Sequence, residues 1–237
     1  MTDQKEIGVI GFGRFGALMC RYMVKNFSLF VYNRSDQEEA IRRLGAHPAT
    51  LKEAAGKKTV ILSVSISNLR AVLDQIRGFL RDDALVMDVC SVKTAPIRWM
   101  LDKLPQSVSI LATHPMFGPD SAAETLKNRK IVLCRERISD FRYEAVERYL
   151  KKMGLVVIET SAEEHDRQIA VSLALTHFIG RSLEAFGAKP LAIDTEGDNR
   201  LLHTLGVVSN DTWQLFEDMH RYNPYAGAIR LEFLEAV

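Results

Sequence analysis

The 237 residues suffice for one large domain or two smaller ones and can bury a sizeable core. With 31 Lys and Arg against 30 Asp and Glu the formal charge is +1, so no overall field draws nucleic acid or an anionic membrane, and an anionic ligand must be held by local charge. The three cysteines, Cys20, Cys90 and Cys134, stand far apart without a CxxC pair, which argues against a disulfide framework and a zinc site and for a reducing, cytoplasmic setting.

The N-terminus, Met1 to Glu6, is polar and runs straight into an apolar segment, with neither a signal-peptide nor a transit-peptide pattern. Short runs rich in Val and Ile then alternate with helix-length segments, the pattern of a parallel sheet covered on both faces. Seven strands are expected: Ile7 to Ile10, Leu29 to Tyr32, Thr59 to Val64, Leu85 to Val89, Val108 to Ala112, Ile131 to Cys134 and Leu155 to Ile158. Between them Arg14 to Asn26, Asp36 to Leu44, Ser67 to Leu80, Ala95 to Leu104 and Asp140 to Met153 carry apolar residues at helical spacing. After Ile158 no further strand run appears. Ser161 and Glu164 form a capping-box pattern, so a helix is expected from near Ala162 to about Phe186, ahead of a Gly187 to Pro190 breaker. No apolar stretch reaches the roughly 20 residues of a membrane helix.

The expected fold class is α/β: a Rossmann-type, mostly parallel sheet over residues 1–158, then an all-α part over residues 159–237. The apolar residues of the long helix, among them Ile169, Leu173, Phe178 and Leu183, occupy more than one face and need more cover than a small domain gives. A homodimer through the C-terminal helices is expected, the alternative being a larger core within the chain.

Gly11, Gly13 and Gly16 spell GxGxxG directly after a strand and at the start of a helix, the context that makes this motif informative. Gly11 permits the tight turn, Gly13 lets the backbone approach a pyrophosphate and Gly16 lets helix and strand pack closely. Phosphates then rest on the helix N-terminus. Phe12, Arg14 and Phe15 within the turn, and Ser63 and Val64 at the end of the third long strand, join the cofactor-contacting candidates. At the end of the second strand Asn33 stands where an NAD enzyme carries an acid, while Arg34 and Ser35 offer a cradle for a 2′-phosphate. NADP is expected ahead of NAD, unless Arg34 is a solvated surface residue. Asp36 comes too late to replace the acid and suits a helix cap.

Two further motifs, D-x-x-S-V-K from Asp88 to Lys93 and H-P-M-F-G-P from His114 to Pro119, lie at carboxyl ends of strands, the edge where open α/β sheets bind ligands. With Glu164-His165-Asp166 and His177, they give the chain a resemblance over nearly its whole length to the prephenate and arogenate dehydrogenases. The resemblance implies oxidative decarboxylation of a cyclohexadienol in tyrosine biosynthesis, with hydride transfer to the nicotinamide. It implies His114 as the catalytic histidine on the ring hydroxyl and Ser91 as the serine orienting that hydroxyl or the histidine. Ser91 would equally serve as a helix N-cap. Lys93 would neutralise a substrate carboxylate or be solvated.

In the helical part the resemblance implies a substrate contact for His177, whose apolar setting also suits a hydrogen-bonded core histidine, and a carboxylate clamp for Arg200, which could otherwise be a surface ion pair. His165 at the helix start resembles a family position too, but is expected to be an exposed first-turn residue. Asp120, six residues beyond His114, would pair with the ammonium of arogenate or with a gating basic residue. Features of arogenate and of prephenate enzymes are mixed. No chorismate mutase segment and no appended regulatory domain are expected. The rivals are another β-hydroxyacid-type dehydrogenase or imine reductase, disfavoured by the lack of a lysine between Asp166 and Gly180, and an NADPH-binding redox sensor without catalysis.

Overall fold

A computed structural model describes residues 5–237, and the polar residues before them lie outside the described part. The chain forms two compact units, one extending to Ala162 and the other running from Glu163 to Val237.

The first unit is built on one eight-stranded sheet in the order β3-β2-β1-β4-β5-β6-β7-β8. Its central strands β1 (Glu6–Ile10), β4 (Thr59–Leu62) and β5 (Leu85–Asp88) are buried along nearly their whole length, as continuous Val and Ile runs require when both faces are covered. β2 (Ser28–Tyr32) pairs with β1 and β6 (Ser109–Pro115) with β5, all parallel. The helices α1 (Arg14–Met23), α2 (Glu38–Arg43), α4 (Ile66–Ile76), α5 (Thr94–Lys103) and α6 (Asp140–Lys152) fill the expected segments. Leu69, Leu73 and Ile76 of α4 and Met100 of α5 are fully buried, each contributing about 1.5–3 kcal/mol of apolar burial.

Three features depart from the expected run of elements. An eighth strand, β3 (His47–Pro48), adds an edge beside β2, a position that tolerates Pro48 because one side of the ladder is unused. It is followed by α3 (Leu51–Ala55), started by a capping box in which the Glu53 N–H donates to Thr50 Oγ1 (3.2 Å) and the Thr50 N–H to Glu53 Oε2 (2.8 Å). β7 (Lys130–Arg137) runs antiparallel to β6, and β8 (Val156–Glu159) runs parallel to β7. The pattern of apolar residues carries no information on strand direction once a strand is buried.

The second unit is helical. Ala162–Phe186 is one continuous 25-residue helix, made of α7 (Ala162–Ile169), a π-helical stretch Ala170–Leu175 and α8 (Thr176–Phe186). The π stretch has an identifiable cause. The Asn223 side chain donates to the Asp166 carbonyl (2.8 Å), while Ser172 and Thr176 hydroxyls donate to the carbonyls of Gln168 (2.9 Å) and Ser172 (3.1 Å), so side chains compete with the regular ladder. Gly187, at φ +81°, ends the helix in the left-handed conformation expected of a breaker.

By length and composition this helix is apolar enough to cross a membrane, which corrects the expectation that no such stretch exists; 28% of its most apolar window is buried within the chain. α9 (Glu196–Ser209) packs against α8 where Gly180 meets Val208, with no room for a β-carbon: one at Gly180 would lie 2.8 Å from Val208 Cγ2. α10 (Trp213–Tyr222) and α11 (Ala226–Glu235) complete the unit.

Candidate active site

The glycine turn has the geometry that a dinucleotide needs. Gly11 sits at φ +103°, and a β-carbon on it would lie 2.1 Å from the Ser63 carbonyl oxygen, so the turn closes directly on the end of β4. A β-carbon on Gly16 would fall 2.5 Å from the Gly11 carbonyl oxygen, which is the close helix packing expected there. Around Gly13 the opposite holds: a β-carbon would meet nothing within 4 Å, leaving the backbone open to an approaching phosphate at the start of α1. The turn is pinned from β4 by the Ser63 N–H on the Ile10 carbonyl (2.8 Å) and from β2 by the Gly11 N–H on the Tyr32 carbonyl (2.8 Å).

Asn33 acts within the chain instead of presenting itself in place of a ribose-binding acid. Its Oδ1 accepts from the Phe12 N–H (2.9 Å), and its Nδ2 donates to the Ser35 carbonyl (3.0 Å) and Ser35 Oγ (2.9 Å). The amide therefore stiffens the glycine turn and shapes the loop that carries Arg34. Arg34 is exposed, with no hydrogen bond or ion pair among the described residues. Asp36 accepts from the Glu38 N–H (3.1 Å) in the turn before α2, but the N-cap of that helix is Gln37, so Asp36 is not the cap expected of it.

At the neighbouring strand ends a buried polar frame fixes the two motifs. Asp88, the last residue of β5, is fully buried; its carboxylate accepts from the Cys90 N–H (3.0 Å) and the Thr113 N–H (3.3 Å) and is bonded to Lys93 Nζ. Lys93 also donates to the Thr113 carbonyl (2.6 Å). Lys93 is thus neither solvated nor turned toward a substrate carboxylate, because its charge is spent on Asp88 in a site of 0% exposure. Asp88 and Thr113 are the residues that sequence reasoning left without a role. The spacing of Asp88 and Lys93 inside one motif was the available signal.

The frame ties the loop after β5, which carries Ser91, to β6, which carries His114, since Asp88 of β5 is paired in register with Ala112 of β6. His114 lies within β6, not in a loop, and is buried. Ser91 does not cap α5, whose N-cap is Lys93. Its Oγ is buried with no hydrogen-bond partner among the described residues, and such a group is satisfied by a ligand hydroxyl.

The loop after β6 reaches back to the glycine turn. The Phe117 ring lies 6.1 Å from that of Phe15, and Arg14 Nη2 donates to both carboxylate oxygens of Asp120 (2.9 and 3.1 Å). Within this unit, therefore, the turn, Ser63 and Val64, Ser91, His114 and Asp120 share the carboxyl edge of the sheet.

The other candidates belong to the helical unit. His177 is buried, with Nε2 3.5 Å from Asp211 Oδ2 and Nδ1 buried without a partner. Burial, with smaller contributions from the charges of Arg181 and His220, holds its pKa down at about 4. Arg200 is exposed and bonded through Nε to Glu196 one turn earlier (3.0 Å). His165, expected at the surface, is instead buried beside Asp166, with Nδ1 2.8 Å from Asp166 Oδ1, because Asn223 packs on that turn.

Residues 21–159 match the family model described as prephenate dehydrogenase, nucleotide-binding domain. The chain belongs to the prephenate dehydrogenase family. Residues 182–237 match the model of a TYRAAT1-like C-terminal domain. Among curated relatives, arogenate dehydrogenase 2, chloroplastic, of Arabidopsis thaliana is 35% identical over 235 residues, covering 93% of this chain and 64% of its own length. The probable arogenate/prephenate dehydrogenase of Methanocaldococcus jannaschii is 28% identical over 241 residues, covering 96% of this chain and 53% of its own. The chain thus spans less than two thirds of the length of these relatives.

Two solved structures share the fold: prephenate dehydrogenase from A. aeolicus in complex with hydroxyphenyl propionate and NAD+ (TM-score 0.80, 17% identity, 98% of this chain and 87% of that one) and Synechocystis arogenate dehydrogenase (TM-score 0.74, 21% identity, 98% and 88%). The family span begins after the glycine turn, whose function rests on its own geometry.

Proposed function

We propose that this family member oxidatively decarboxylates arogenate or prephenate with NADP, on the route to tyrosine. The observation that carries the reading is the buried Ser91 Oγ, unpartnered among the described residues, in the loop that leaves β5 beside the strand of His114, with loop and strand held by the Asp88–Lys93–Thr113 frame. A nicotinamide cofactor held at the Gly11 to Gly16 turn would supply the acceptor for the hydride of the ring carbon. His114 accepts or polarises the proton of the ring hydroxyl, and Ser91 orients that hydroxyl. Loss of carbon dioxide then follows from aromatisation of the substrate itself, so the protein need only place the donor carbon and manage one proton.

NADP in preference to NAD is supported by the exposed, unpaired Arg34 and by the lack of an acid at Asn33. In the sheet unit Asp120 is a further proposed substrate contact; in the helical unit, taken by itself, His177 and Arg200 are proposed as substrate-binding residues on the family resemblance. A homodimer through the helical unit is supported by large apolar side chains left exposed there, among them Val207, Leu231 and Leu234. Three free, buried cysteines support a cytoplasmic, reducing location.

The test mixes purified protein with arogenate or prephenate and with NADP or NAD, following reduced nicotinamide by absorbance. Turnover is expected with NADP and at least one of the two acids. Absence of turnover in every combination across the neutral pH range removes the assignment, and faster turnover with NAD removes the role of Arg34. Sedimentation at micromolar concentration reads the dimer, and a monomer there removes that part.

A further inference from the structure

We infer that Asp120 is a positioning residue that sets the strength of dinucleotide binding by competing with the cofactor's phosphates for the guanidinium of Arg14. The inference rests on the dinucleotide reading of the glycine turn and goes beyond it by giving one cation two alternative anions.

Arg14 is the first residue of α1, immediately after Gly13, whose surroundings are open. A pyrophosphate resting on the N-terminus of α1 therefore comes within reach of this side chain. In the chain as it stands, Arg14 Nη2 is bonded to both oxygens of Asp120 at 2.9 and 3.1 Å. Asp120 is held for this contact by its own loop, where the Ala122 N–H donates to the Gly118 carbonyl (3.0 Å) and the Gly118 N–H donates to Ser121 Oγ (3.0 Å). The Phe15–Phe117 contact clamps the same loop to the same helix.

The pair is about half exposed on both sides (48% and 56%), the setting in which ion pairs are weak and exchangeable. A diphosphate brings more charge than one carboxylate and adds the helix dipole and backbone N–H groups, so it wins the exchange. Two consequences follow. The Asp120 carboxylate keeps the guanidinium from the incoming anion until Arg14 turns away from it. Once Arg14 is on the phosphates, that carboxylate is left without its cation on the loop that continues from His114.

The prediction runs against the ordinary effect of deleting a contact. Dissociation constants for NADPH, read by its fluorescence, are measured for the native chain, Asp120→Asn, Asp120→Ser, Arg14→Ala and the Arg14→Ala/Asp120→Asn double variant, at low and high salt. Both Asp120 variants are expected to bind NADPH about threefold to tenfold more tightly than native at low salt, with the gain shrinking as salt rises. Arg14→Ala is expected to bind more weakly, and in that background Asp120→Asn should add nothing. A residue that merely braces the loop would loosen binding when removed. Unchanged or weaker binding in both Asp120 variants, or a gain that persists without Arg14, overturns the inference while leaving the cofactor site in place. A native chain that binds no dinucleotide overturns the reading beneath it.

Discussion

The two units differ in what they leave over. Among the described residues the sheet unit exposes five large apolar side chains, Phe79, Leu101, Phe141, Val156 and Ile158, whereas the helical unit, with half the residues, exposes ten. The sheet unit neutralises its buried charge internally, through Asp88 and Lys93. Among the described residues both units bury polar atoms without partners, His177 Nδ1, Arg181 Nε, Asp198 Oδ2 and His220 Nε2 in the helical unit and Ser91 Oγ, Arg129 Nε and Tyr149 Oη in the sheet unit. The difference between the units therefore lies in apolar surface. A unit with so many large apolar side chains left exposed is built to be covered by something else, which is the physical case for the proposed dimer.

The sharpest way to break this comparison is at His114. If the sheet unit carries the chemistry, His114→Asn should lower kcat by about 100- to 10,000-fold, the range for losing a positioned acid-base group, with little change in the NADPH dissociation constant. Steady-state rates with NADPH binding measured in parallel read both. A loss smaller than tenfold would move the proton-handling group elsewhere.

Next in size is the buried frame. Lys93→Met leaves the Asp88 carboxylate buried without its cation, and removing one partner of such a pair costs about 3–5 kcal/mol of stability. Urea unfolding followed by far-UV circular dichroism measures it. An effect below about 1 kcal/mol would show that water or another group replaces the ammonium and that the frame is not rigid.

These residues also show where a sequence can be read. Val and Ile runs placed β1, β4 and β5 because buried parallel strands tolerate little else, and the glycine spacing located the turn because only glycine fits at Gly11 and Gly16. β3 escaped notice because it is two residues long and contains a proline, and α3 because five residues are too few to show a period, although the Thr50 to Glu53 box was there to be found. Lys93 was misread because lysine is seldom fully buried, and only tertiary structure brings Thr113 onto it. The π-helical stretch depends on Asn223, distant in sequence from Asp166. His165 was misplaced for the same reason. Periodicity reports the elements, but the partners of buried polar groups are a property of the assembled fold.

The third test contrasts the units by pH. Burial keeps His177 neutral in the folded chain down to about 4, against an ordinary value of 6.5. Its Asp211 neighbour, at 3.5 Å and partly exposed, does not reverse this. Between those values the unfolded chain binds a proton that the folded one lacks, so stability is full above about pH 6.5 and falls as pH drops toward 4, by about 3 kcal/mol in total. His220 is shifted downward as well, also chiefly by burial, and adds to the same slope. Urea unfolding of the native chain and of His177→Asn at pH 7 and pH 4.5 checks it: the variant should lose less stability on acidification. Equal losses would remove His177 as the source.

The smallest expected effect separates stability from function at Arg200. Its bond to Glu196 joins two side chains that are 79% and 75% exposed, and such pairs contribute about 0.3–0.5 kcal/mol, so Arg200→Ala should leave the melting temperature nearly unchanged. If the exposed guanidinium is reserved for a substrate carboxylate, the same variant should raise KM for the dicarboxylate prephenate and for arogenate while leaving NADPH binding alone. An unchanged KM with unchanged stability would reduce Arg200 to a surface ion pair, and the helical unit would then owe its exposed surface to association alone.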